Sequence, residues 1–368
     1  MVKKILSSSL SAVVLAGLLT GCGADSQTSG NAEQKPNDPS PQNEKPASSN
    51  SNSNPNEGNE SKFEEMKIVF GHVQAGSEDS YLHQGSMKFK ELVEKATNGK
   101  VTVEIHPAGE LGGEREMMEG VQLGTVDMML ASTGPLGNFT PIANAFDFPF
   151  LFRDREHAYK VLDGEIGDEI GNELGKSGLK VLAWAENGFR NITNNDHPIK
   201  KPEDLNGLKI RTMENKIHME SFLAFGASPT PMSFTELFTS MQQGVVDGQE
   251  NPLGVIISSK FYEVQKYLSL TGHFYNPALF IITKTKFDSF TPELQQVLLD
   301  SAAKARDYQR EFISSKEQEN LELAKKEGME VTDKEDVDYD AFLKASQKVY
   351  QKYDSEYGDI LRRIQAVK

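Results

Sequence analysis

From Thr291 the sequence runs to Gly328 without a helix breaker. Thr291-Pro292-Glu293 has the marks of a helix start: a capping hydroxyl, a proline in the first turn and an acid at the positive end of the dipole. Behind it Leu294, Val297, Leu298, Ala302, Ala305, Tyr308 and Phe312 form an apolar stripe at helical spacing. The spacing predicts a helix of about 36 residues, a rod of roughly 50 Å at 1.5 Å per residue. Such a rod is longer than one small lobe. The stripe keeps no strict heptad, so the expected role is a brace across two lobes rather than a coiled coil.

The rest of the body fits that frame. From about Glu64 to Lys368 it exceeds what a single core usually supports, which favours two lobes. Short apolar runs at 67–70, 101–105, 126–131, 179–184, 208–211 and 278–283 read as strands. Helical stretches at 79–96, 114–123, 217–225 and 234–243 separate them, and 336–364 supplies a last one. Strands spaced by helices predict α/β lobes with mostly parallel sheets and ligands at the carboxyl ends of the strands.

The first 63 residues belong to a different plan. Lys3 and Lys4 precede an apolar run from Ile5 to Leu19, too short to span a bilayer and closed by Leu19-Thr20-Gly21-Cys22. That ending resembles the bacterial lipobox, in which the cysteine carries a diacylglyceryl group; the plainer alternative is a secretory signal with an incidental cysteine. Residues 1–21 are then a lipoprotein signal peptide. Residues 22–63 are the lipidated Cys22 and a Ser/Asn/Pro-rich tether whose composition cannot bury enough surface to fold. Cys22 is the sole cysteine, so no internal disulfide is available to the fold.

Charge removes one class of function. Loss of residues 1–21 takes off Lys3 and Lys4 and no acid, which lowers the net charge from −15 to −17. A chain this acidic offers no basic surface for nucleic acid. The sequence has no Gly-x-Ser-x-Gly elbow, phosphate loop, His-Glu-x-x-His or paired-cysteine spacing. It therefore predicts neither an enzyme nor a resident cofactor or metal. Gly109-Glu110-Leu111-Gly112-Gly113 could offer backbone N–H groups to an anion, but reads first as a strand-to-helix turn. Arg211 stands out on a strand made apolar by Leu208 and Ile210. It either pairs with an acid in the core or points into a cleft, and the residues alone leave both open.

Four stretches bear on that choice: Gly109-Glu110-Leu111-Gly112, Phe148-Pro149-Phe150-Leu151-Phe152, Asp247-Gly248-Gln249-Glu250-Asn251-Pro252 and Lys260 through Tyr267. Together they resemble the solute-binding proteins of tripartite ATP-independent periplasmic (TRAP) transporters, the DctP type, over essentially the whole body from Lys67. The resemblance implies an α/β, two-lobed periplasmic-binding-protein-like fold with a hinge and a long C-terminal helix spanning both lobes. It divides the body into lobe I, 64–187 plus 277–316, and lobe II, 188–276 plus 317–368. It implies that Arg211 holds a substrate carboxylate by a two-toothed hydrogen-bonded pair, that Arg190 reaches the same or another acidic group, that Asn251 contacts the ligand, and that Phe234 forms an aromatic wall. Glu186 and Glu214, as acceptors near the arginines, and His72, at the end of the first strand, are weaker candidates for ligand hydroxyls. Their alternative is pairing with Arg190 or Arg211. Trp184 could stack on a ligand or pack in the core. Acceptors beside arginines favour a hydroxylated acid, such as a uronate or aldonate, over a bare dicarboxylate.

The expectation is thus a monomeric, lipid-anchored receptor at the outer face of the cell membrane, in a Gram-positive host. It captures a small organic acid, either a sugar acid or a C4-type carboxylate, and passes it to a sodium-coupled TRAP permease. Other classes are a receptor of an ATP-driven importer, for a solute or a metal, and a secreted lipoprotein enzyme.

Overall fold

The computed structural model describes residues 62–368; Cys22, the segment expected to be a signal peptide and all but the end of the expected tether lie outside the described residues. Along the chain the elements run β1 (Met66–Gly71), α1 (Tyr81–Ala96), β2 (Val101–His106), α2 (Glu114–Leu123), β3 (Met128–Ser132), α3 (Arg155–Leu162), α4 (Glu165–Lys176) and β4 (Leu179–Asn194). They continue with β5 (Lys209–Thr212), α5 (Lys216–Phe225), β6 (Ser228–Pro231), α6 (Phe234–Gln242), β7 (Gly248–Pro252), α7 (Leu253–Ser258) and β8 (Tyr267–Thr283). The last are α8 (Lys284–Ser289), α9 (Pro292–Lys326), β9 (Glu330–Thr332) and α10 (Tyr339–Ala366).

Among the described residues nine strands form one sheet in the order β2-β1-β3-β8-β4-β7-β5-β6, with β9 on β8. The outer pairings β1–β2, β1–β3, β5–β6 and β5–β7 are parallel, as the alternation of strands and helices implies. The centre is antiparallel: β8 lies against β3 and β4, and β4 against β7. β4 and β8 are much longer than the expected runs at 179–184 and 278–283 because each crosses from one half of the sheet to the other. Leu179–Glu186 pairs with Pro277–Thr283 in the first half, and Ile192–Asn194 with Tyr267–Ser269 in the second. Register shifts at Glu186/Gly188 and Arg190/Ile192 break the ladder between them. Gly188, at φ +118°, supplies a backbone turn that a side chain would strain. The polar residues Glu186, Asn187 and Arg190 in this crossing hide the strand's continuity from a hydrophobic pattern.

Helix α9 matches its expected bounds. The Thr291 hydroxyl accepts from the Leu294 N–H, and the rod ends just before Gly328 at φ +96°. It packs on α1 and β4 along most of its length and on α7 and β9 farther on, so it braces both halves of the sheet. Leu298, Ala302 and Ala305 join Ile68, Phe70, Phe89 and Phe280 in one core. Phe146, Trp184, Leu279 and Met117 form a second, and Ile192, Ile210, Phe222 and Phe274 a third. Helix α10 is shared: Phe342 belongs to the third core, whereas Val349, Tyr357, Ile360 and Ile364 belong to the second. The end of the chain therefore packs into the core that holds Trp184 and Leu279. No described helix is long and apolar enough to cross a membrane.

Candidate functional site

The carboxyl ends of β1, β3, β5 and β7 converge with the crossing of β4, and a small cavity lies among them. Val73, Gln74, Leu82, Glu114 and Ser132 line it from the first half of the fold. Arg211, Met213, Phe234, Asn251 and Val255 line it from the second, and Asn187 from the crossing strand. A cleft walled by both halves is the site that parallel strands with helices at their ends produce.

Arg211 is 2% exposed and faces no carboxylate within ion-pair distance among the described residues. Its Nε and Nη2 donate to the Met232 carbonyl at 3.1 and 2.8 Å, and its Nη1 is buried without a partner. Burial, and then the neighbouring Arg190 guanidinium, pull its pKa down to about 10, which leaves it charged at neutral pH. Of the two readings open for Arg211, the geometry takes the cleft over the acid pair. A buried guanidinium whose hydrogen bonds all end on one carbonyl keeps a free donor, Nη1, for an anion that reaches it.

Arg190 differs. It is fully buried and bound to Glu250, with Nε on Oε2 at 2.5 Å and Nη2 on Oε1 at 2.8 Å. Burial alone would raise the Glu250 carboxyl, but Arg190 and then His273 hold it well below the usual carboxylate range. His273 stands 3.3 Å from the same Oε2. Arg190 is therefore already neutralised and stands behind the cavity wall; only its Nη1 is without a partner.

Asn251 and Phe234 line the cavity with Arg211. Asn251 donates to Gln249 Oε1 at 2.5 Å, and Phe234 opens α6 with its ring 6.1 Å from that of Phe261. The weaker candidates are elsewhere. Glu186, expected beside the arginines, is fully buried on Arg155 Nε at 2.8 Å and on the Tyr159 hydroxyl. Glu214 points to Arg115 at 3.6 Å and is partly exposed. His72 lies behind Val73 and Gln74 with Nε2 3.1 Å from His83 Nδ1. None of the three lines the cavity. Trp184 packs edge-on against Phe146 and donates to the Gly167 carbonyl, so it belongs to the core. The Gly109–Gly113 segment is a turn: Gly109 and Gly112 donate to the His72 and Gly109 carbonyls, which uses their N–H groups internally.

Pattern reading missed four polar lining residues. Glu114, the first residue of α2, receives the Ser132 N–H on Oε1 at 2.7 Å and the Ser132 hydroxyl on Oε2 at 2.8 Å. Asn187 accepts from Tyr81 at 2.5 Å and donates to Asn276 at 2.7 Å. The Gln74 side-chain oxygen Oε1 accepts from the Ser80 hydroxyl and the Leu82 N–H. A polar residue just beyond a strand, or just inside the following helix, was the available signal, and it is common in proteins of this class.

This arrangement has a family. The profile described as bacterial extracellular solute-binding protein, family 7, the DctP family, matches residues 70–356. The chain belongs to the DctP family. It is 41% identical, over 76% of its length and 84% of the relative's, to the 2,3-diketo-L-gulonate-binding periplasmic protein YiaO of Escherichia coli. A TRAP periplasmic solute-binding protein from Polaromonas with bound D-erythronate is 47% identical; the two superpose with a TM-score of 0.80 over 83% of this chain and 99% of the other. One from Sulfurospirillum deleyianum with bound succinate is 32% identical, with a TM-score of 0.78 over 83% and 100%. DctP membership accounts for the two-half α/β body, the long helix and a cleft between the halves.

Proposed function

We propose that this chain is the extracytoplasmic receptor of a TRAP transporter, capturing a small organic acid in the cleft and delivering it to a sodium-coupled permease. The observation that carries this reading is Arg211, a buried guanidinium in a cavity walled by both halves, with no carboxylate within ion-pair distance among the described residues. A planar guanidinium matches a carboxylate fork, and exclusion from water strengthens the pair. Asn251 and Phe234 complete the ligand's surroundings. Arg190 acts from behind through Glu250, and its Nη1 is the one group it has left to offer. The acids named for the relatives, 2,3-diketo-L-gulonate, erythronate and succinate, support a sugar acid or a C4-type carboxylate as the cargo.

The lobes, divided near 187/188 and 276/277, close over the ligand about the β4/β8 crossing. The mature protein begins at lipidated Cys22 and works as a monomer beside its permease on the outer face of a Gram-positive membrane. Relatives that share the body are TRAP solute-binding proteins, so the receptor of an ATP-driven importer is not carried forward. No enzyme activity is assigned.

Isothermal calorimetry of residues 62–368 against a panel of sugar acids and dicarboxylates tests the reading. At least one acid should bind in the micromolar range or tighter. Failure of the whole panel, with turnover or metal binding instead, would overturn it. Mass spectrometry of the membrane-bound protein should find diacylglycerol on Cys22, and an unlipidated free form would remove the anchor.

A further inference from the structure

The cavity holds one more charged side chain than the carboxylate clamp requires. Glu114 lines it opposite Arg211, at the positive end of α2, and is half-buried there. Each of its oxygens takes one hydrogen bond from Ser132, and a carboxylate oxygen has a second acceptor site. Ser132 fixes the carboxylate from the strand side and leaves it acceptor-only towards the cleft. Burial raises its pKa on balance, although the Ser132 bonds and then Arg211 and Arg190 act the other way.

Counting charge around the cavity gives a simple result. Arg190 and Glu250 cancel each other, and Arg211 and Glu114 remain with opposite signs. An acid with one carboxylate places it on Arg211 and can direct a hydroxyl to Glu114. An acid with two carboxylates must bring the second one into the same water-poor cavity as Glu114, where like charges repel strongly. The asymmetry is large in such sites, because a group built to accept a hydroxyl rejects an analogue without it.

We propose that Glu114 is the specificity-determining residue of the cleft, accepting a hydrogen bond from a ligand hydroxyl and turning away a second carboxylate. The site then takes polyhydroxylated monocarboxylates. The assignment rests on the proposed receptor function, and it replaces Glu186 and Glu214 with a residue that the fold brings to the ligand.

The test uses three acids of equal carbon count: erythronate, with one carboxylate and hydroxyls; succinate, with two carboxylates; and butyrate, with one carboxylate and no hydroxyl. In calorimetry at neutral pH the wild type should bind erythronate tighter than either of the others by tenfold or more, on the order of one good polar contact. Glu114→Gln keeps the size and an acceptor for the Ser132 N–H but removes the charge. It should bind succinate about tenfold tighter than wild type and lower the erythronate-to-succinate preference by about 100-fold. An unchanged preference in a variant that unfolds at the wild-type temperature overturns the role of Glu114 and leaves the receptor reading intact. So does a wild type that prefers succinate, which needs no variant at all. A wild type that binds none of these acids or the wider panel overturns the receptor reading, and the role of Glu114 with it.

Discussion

Replacing Arg211 with methionine separates binding from folding. The variant keeps an unbranched chain of similar length on β5 and loses only the guanidinium. In the complex that group lies against a ligand carboxylate in a cavity with little water. At about 4 Å and an effective dielectric near 20, two opposite charges attract by about 4 kcal/mol. Measured losses for truncating one member of such a pair are about 2–5 kcal/mol. The expected rise in Kd is therefore roughly 30- to 4,000-fold. In the free protein two effects oppose each other. The Met232 carbonyl loses its donors, at about 1–3 kcal/mol, and the fold sheds an unbalanced buried cation, a relief of similar order. The ligand-free Tm should move by only a few degrees. Ligand at 100 times Kd adds about 2.7 kcal/mol to the wild type, or about 5 °C for a body of this size, and should add at most about 1 kcal/mol, under about 2 °C, to the variant at the same concentration. Calorimetry and ligand-shifted melting give both numbers. A variant that binds within threefold of wild type would falsify the clamp.

Two further outcomes concern stability. Glu250→Gln strips a fully buried Arg190 of its acid, which costs about 3–5 kcal/mol; scanning calorimetry should show the ligand-free Tm down by roughly 6–10 °C, and a loss below about 1 °C would contradict the buried pair. Burial, and then His83, hold His72 near a pKa of about 3, against about 6.5 in the unfolded chain. Above about 6.5 neither state carries the proton; as pH falls the unfolded chain takes it first, so stability is lost between about 6.5 and 3. His72→Asn should flatten urea-unfolding stability between pH 7 and pH 5 by about 2 kcal/mol, and an acid limb identical to wild type would remove His72 from that role.

The sequence by itself determined those parts of the fold that are written locally. The helix from Thr291 was legible because its cap, its stripe and its terminating glycine all lie within one stretch. The outer strands were legible because apolar runs bounded by turns need no partner to be recognised. β6 was not, since Ser228-Pro229-Thr230-Pro231 carries two prolines that only a sheet-edge position tolerates. The short helices at 155–162 and 165–176 went unread although each carries an apolar stripe, Ala158, Val161 and Leu162 in one and Ile166, Ile170 and Leu174 in the other. Arg211, Asn251 and Phe234 came from motif resemblance, and the fold brings all three to one cavity.

Tertiary structure decided which charges are spent. Arg190 and Arg211 look alike in sequence, each an arginine on a buried strand. Only the register of β4 against β7, which sets Ile192 opposite Glu250, puts an acid on Arg190 and leaves Arg211 without one. Glu186 and Glu114 are exchanged in the same way. The acid that looked close to the arginines along the chain turns to Arg155 and Tyr159, and the acid some 70 residues before Glu186 enters the cleft because α2, which follows β2, starts beside Ser132 at the end of β3. A side chain's partner is a matter of distance in space, and a one-residue change of register turns it to the opposite face of the sheet.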